Sequence, residues 1–92
     1  MNCFMENRKD SAALDGAKLI RREEAMAYLA GILPDLRGRN LDALYDSLTD
    51  LTSFRMILFN REILEETDFG RRLLAVLRDA AAENPYLNLE ER

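Results

Sequence analysis

Between Asn40 and Leu51 the chain carries two opposed stripes at helical spacing, leucines at 41, 44, 48 and 51 and aspartates at 42, 46 and 50. Apolar residues recurring at three and four predict an amphipathic helix from 41 to about 51. A second such pattern, Ala25, Leu29, Ile32 and Leu33, predicts a helix over residues 21–33. Glu23 and Glu24 lie early in it, where the helix dipole favours anions, and Pro34 stops it. A third pattern, Leu73, Leu74, Leu77, Ala80 and Ala81, predicts a helix over residues 71–83, closed by Asn84-Pro85.

The remaining segments change period. Residues 54–59, FRMILF, form a nearly continuous apolar run that predicts a strand covered on both faces, as in parallel sheets. Residues 11–14, closed by Asp15-Gly16, predict a brief first strand, and YLNLEER, with its two-residue alternation, a final edge strand. Residues 62–66 suit a short helix before a TDFG turn. In the loop PDLRGRN, Gly38 is free to take a positive φ and Asn40 is suited to cap the helix that follows. The order β-α-α-β-α-α-β predicts an α/β fold, a small three-stranded parallel sheet with right-handed crossovers packed against about four helices.

Bulk properties narrow the partners. The 92 residues make one domain, expected at 11–92 behind a polar extension at 1–10. A net charge of −4 with basic residues scattered along the chain argues against nucleic acid, whose binding needs clustered Lys and Arg. It favours a basic protein instead, since opposite potentials speed encounter. The single Cys3 allows no internal disulfide and suits a reducing, cytoplasmic setting. No apolar run approaches a membrane span, so no membrane association is expected.

The three aspartates require an explanation, because like charges four apart on a helix cost roughly 0.2–0.5 kcal/mol per pair. Asp42 lies in the first turn, where negative charge is welcome; Asp46 and Asp50 do not. The stripe is either a solvated face or a surface kept for a partner. Tyr45 beside it is either a core-edge aromatic or an interface anchor. Catalysis by Asp42 and Asp46 is disfavoured, since an exposed helix stripe gives no water-poor pocket to separate their pKa values. The chain has no His, which excludes Ser-His and Cys-His nucleophile pairs. No metal-ligand spacing or phosphate-binding glycine pattern is present, so no metal and no cofactor is expected.

RGRNLDALYDSLTDL resembles the barstar family of protein inhibitors of barnase-type ribonucleases. The likeness extends from Leu14-Asp15-Gly16 through ILPDLRGRNLDALYDSL and FRMILFN to LLAVLRDAAAENPYLNLEE. The resemblance implies the same small parallel sheet and helices, and inhibition by plugging: the second helix and the loop before it cover the nuclease active site. It gives Asp46 the place of a substrate phosphate and Asp42 a supporting role. Asn40, Gly38 and Thr49 fall on contact positions, Tyr45 replaces the usual tryptophan, and Asp79 and Glu83 match peripheral charge contacts. Leu36 and Arg37 stand where barstar has two tyrosines, Arg39 where it has a glutamate, and Asp50-Leu51 where it has a glycine and a tryptophan. The aromatic rim is thereby reduced, and Arg37 and Arg39 place positive charge beside the stripe, available to Asp42 or to an acidic site on the partner. The expected protein is not an enzyme but a cytoplasmic inhibitor, monomeric when free, that binds one basic ribonuclease encoded beside it. The alternative is an acidic interaction module on the same fold without nuclease inhibition.

Overall fold

The computed structural model describes residues 11–33, 36 and 38–92. The polar extension at 1–10, Cys3 within it, Pro34 and Arg37 lie outside the described residues. The chain runs β1 (Ser11–Asp15), α1 (Arg22–Ile32), α2 (Leu41–Thr49), β2 (Phe54–Phe59), α3 (Arg61–Leu64), α4 (Asp68–Glu83) and β3 (Leu87–Glu91), with a single 3₁₀ turn at Gly16–Lys18 after β1. The α/β class, the element order and the small parallel sheet agree with the sequence pattern.

The three strands are parallel and ordered β1-β2-β3, with Leu14 beside Leu58 and Met56 beside Leu89. Side chains alternate across β2: Phe54, Met56 and Leu58 are buried, Arg55 and Phe59 are exposed and Ile57 is half-buried. The strand is therefore covered on one face, not both. Strand order explains the difference. Both crossovers step the same way across the sheet, and with a common right hand they place all the helices on one side. The core lies between that face and the helices, filled by Leu14, Met56 and Leu58 from the strands and by Met26, Leu29, Leu44, Leu48, Leu73 and Leu77 from the helices.

The last helix starts earlier than expected. Thr67 caps it, its Oγ1 accepting from the Gly70 N–H at 2.9 Å, so TDFG opens α4 rather than forming a separate turn. Gly70 is read as a turn signal in sequence, but here it lets α4 approach α3: a Cβ at this position would run into the Leu64 carbonyl. Smaller shifts are that α2 ends at Thr49, with Asp50 as its C-cap, and that α3 occupies Arg61–Leu64. No helix among the described residues is long and apolar enough to cross a membrane.

Candidate functional site

The site grows from the start of α2. Asn40 has extended backbone, and its Oδ1 accepts from the Ala43 N–H at 2.7 Å, satisfying one of the free donors of the first turn. Gly38 holds φ at +115°, which disfavours any side chain, and a Cβ there would come within 3.0 Å of the Ala43 Cβ. The cap and this close approach fix where the loop joins the helix. Leu36 is half-buried against the core. Leu44 and Leu48 are fully buried, which turns Asp42, Asp46 and Asp50 outward into solvent. Thr49 does not face a partner freely, because its Oγ1 hydrogen-bonds to the Tyr45 and Asp46 carbonyls at 3.0 and 3.1 Å. Tyr45 is half-buried and packs on the core.

Among the described residues, Asp42, Asp46, Asp50, Asp79 and Glu83 make no ion pair, nor do Glu23, Glu62 and Glu66, whereas Glu90 and Glu91 at the end of β3 are held by arginines. Arg78 forks onto Glu91 with hydrogen bonds of 2.7 and 2.8 Å, Arg61 approaches the same carboxylate at 3.5 Å, and Arg55 and Arg92 hold Glu90. The Arg78 guanidinium beside Glu91 holds its carboxyl below the usual glutamate range. Asp15 is also lowered, chiefly by the Asn60 side-chain amide at 3.0 Å. These satisfied groups lie toward the carboxyl ends of the strands, where open α/β sheets build ligand crevices. The unpaired carboxylates of the sequence-predicted set lie on α2 and α4 or at their ends. Arg39 does not reach Asp42; it lines a depression with Arg22, Glu23 and Met26 of α1.

α2 packs against α4, and the two helices end together. Asn84, only 5% exposed, donates from Nδ2 to the Leu48 and Leu51 carbonyls at 3.0 and 2.8 Å, and its Oδ1 accepts from the Tyr86 N–H at 3.0 Å. All its polar atoms are used in joining the end of α4 to the end of α2. A shallow open groove runs over this junction and brings together Tyr45, Thr49, Asp50 and Glu83 of the sequence-predicted set with Asn84 and Tyr86. Asp42, Asp46, Asn40, Gly38 and Asp79 lie outside the groove. Asn84 and Tyr86 are functional candidates that sequence reasoning missed. Tyr86 left a signal, because it shares the exposed phase of YLNLEER with Asn88 and Glu90, where an aromatic is out of place. Among the described residues there is no group of acids, His or Cys able to hold a metal.

A family profile described as Barstar (barnase inhibitor) matches residues 10–88. The chain belongs to the barstar family. No curated protein matches it significantly. Barstar membership brings a barnase-inhibitor-like role, with a ribonuclease as the kind of partner, and points away from catalysis. It also accords with a helix whose acidic face has no counter-charge among the described residues.

Proposed function

We propose that this barstar-family chain acts in the cytoplasm as a one-to-one inhibitor of a basic ribonuclease, laying α2 and the loop before it over the enzyme's active site. Asp46 takes the place of a substrate phosphate among the enzyme's cations, and Asp42 supports it. Tyr45, Asn40, Gly38 and Thr49 shape the same surface, while Asp79 and Glu83 add charge from α4. The observation that carries the reading is the set of exposed aspartates, without an ion pair among the described residues, on a helix capped at one end by Asn40 and joined to α4 at the other. Folding alone gains nothing from three like charges in register. A cationic cleft would convert that cost into charge-assisted hydrogen bonds and faster encounter, behaviour for which barnase with barstar is itself the reference case.

The test is inhibition of barnase, and of any ribonuclease encoded next to this chain, by the purified 92-residue chain. Asp46→Ala is expected to weaken inhibition by about 2–5 kcal/mol, the usual effect of truncating one side of a desolvated charge pair, without lowering the urea midpoint, since loss of this charge relieves repulsion along the helix. If both enzymes kept full activity at micromolar inhibitor, the proposal would fail.

A further inference from the structure

The groove over the α2–α4 junction has a charge that no described residue answers. Both helices point their carboxyl ends at it, α2 ending at the Asp50 C-cap and α4 at the Asn84 C-cap. Each helix end carries roughly half a negative charge, and proteins commonly place Lys or Arg there. Neither last turn here contains a basic residue. Instead Asp50 and Glu83, both exposed and outside every ion pair among the described residues, add two full negative charges at the rim. Asn84 satisfies the carbonyls of Leu48 and Leu51 but brings no charge. The other walls are aromatic. Tyr45 is half-buried, and Tyr86 is 62% exposed, which wastes a large amphipathic ring unless a partner covers it.

We infer that this groove receives an arginine side chain of the partner, its guanidinium lying on the Tyr86 ring and forking onto Asp50 or Glu83. Arginine suits the place better than lysine. Its cation is planar, stacks on aromatic faces, binds carboxylates through two parallel bonds and is weakly hydrated, whereas an ammonium would have to shed a tight water shell in an open groove. The inference rests on the proposed function, in which the acidic face of α2 meets a basic protein, and it extends that face. Asp50 lies one turn, about 6 Å along the axis, beyond Asp46, so a partner seated on Asp46 would have a second anchor within reach. It also gives a role to Asp50, which stands where the resemblance to barstar expects glycine.

The groove can be tested without a nuclease. The ¹⁵N-labelled full chain is titrated with N-acetyl-arginine amide, and in parallel with the corresponding lysine and glutamate amides, while backbone amide shifts are followed. Arginine amide is expected to give saturable shifts confined to residues 49–52 and 84–87, weaker with lysine amide and absent with glutamate amide. Tyr86→Ala, and Asp50→Asn combined with Glu83→Gln, are each expected to weaken the apparent affinity roughly five-fold, while both variants keep the dispersed spectrum of a folded chain. Shifts that do not saturate, that are unmoved by Tyr86→Ala, or that centre on Asp42 and Asp46 would overturn the inference. Because no ribonuclease is present, a failed inhibition assay bears on the proposed function alone and a failed titration on the groove alone.

Discussion

The side-chain amide of Asn84 lies 3.0 Å from the Leu48 carbonyl, across 36 residues of sequence, and closes the end of the acidic helix with the end of the last one. Asn84→Ala leaves the buried Leu48 carbonyl and the part-buried Leu51 carbonyl without this donor. A loss of about 1–3 kcal/mol in urea unfolding is expected. Asn84→Asp should cost more than alanine, since a carboxylate would face two carbonyl oxygens. A stability change below about 0.5 kcal/mol for either variant would show that α2 is held by its leucines alone.

Asp46 has like-charged neighbours one turn away on both sides, Asp42 and Asp50, and no cation paired with it among the described residues. Asp46→Asn should therefore stabilise the free protein, by about 0.2–0.5 kcal/mol for each repulsion relieved. Asp42→Asn relieves one repulsion but gives up a favourable charge in the first turn, and should be close to neutral. Thermal unfolding at low and at about 1 M salt separates the terms, because the gain from Asp46→Asn should shrink when surface charges are screened. A destabilised Asp46→Asn would mean that this carboxylate has a folding role that its exposure does not reveal.

Acid stability should be governed by Glu91 rather than by the aspartate stripe. The Arg78 hydrogen bonds, and Arg61 beyond them, lower the Glu91 carboxyl in the folded state, whereas the unfolded chain keeps the ordinary value near 4.5. Below that value the unfolded state binds the proton more readily, so this contribution is complete above about pH 4.5 and drains away as pH falls through the lower folded value. Asp15 acts with the same sign. Urea midpoints of the native protein and Glu91→Gln measured from pH 7 to pH 3 should converge as pH falls. A constant gap would show that Glu91 contributes packing and not charge.

Tyr28 covers the edge of β1 that no described strand pairs with. Its hydroxyl accepts from the Asp15 N–H at 3.2 Å and approaches the Ala13 carbonyl at 3.4 Å, occupying backbone groups that an added strand would use. Lys18 Nζ lies 5.4 Å from the ring centroid and brings charge to the same edge. Tyr28→Phe should cost about 0.5–1.5 kcal/mol and raise self-association, seen as a concentration-dependent sedimentation coefficient. A variant that self-associates no more than the native protein would show that the Tyr28 hydroxyl does not guard this edge.

How legible each element was in sequence depended on how far away its determinants lie. α2 was readable because its leucine and aspartate periods agree and Asn40 marks the start locally. β2 was readable as a strand, but Phe54, Met56, Leu58, Ile57 and Phe59 are apolar in both phases, so the residues alone could not say that one face is open; that follows from the order of the strands. The start of α4 was misplaced because Thr67, Asp68 and Gly70 are common turn residues, and only the approach to the Leu64 carbonyl shows why the glycine belongs inside a helix. Asn84 looked like a helix stop because its bonding partners lie 33 and 36 residues earlier. Of the site, the exposed face of α2 was visible in the pattern, whereas the groove exists only where two chain-distant helix ends meet.

The bond from Asn84 back to α2 also sets an order in time. A ribosome adding about 5–20 residues per second releases the acidic helix seconds before the segment that holds its far end. Until then Asn40–Leu51 is a stretch too short to be stably helical in water on its own. A nascent or truncated chain lacking Asn84 would contain every aspartate of α2 and still not hold them in a fixed array. Competence to engage a partner is thus acquired only after Asn84 has been made and has closed on α2, and a peptide cut from α2 should be a poor substitute for the whole molecule.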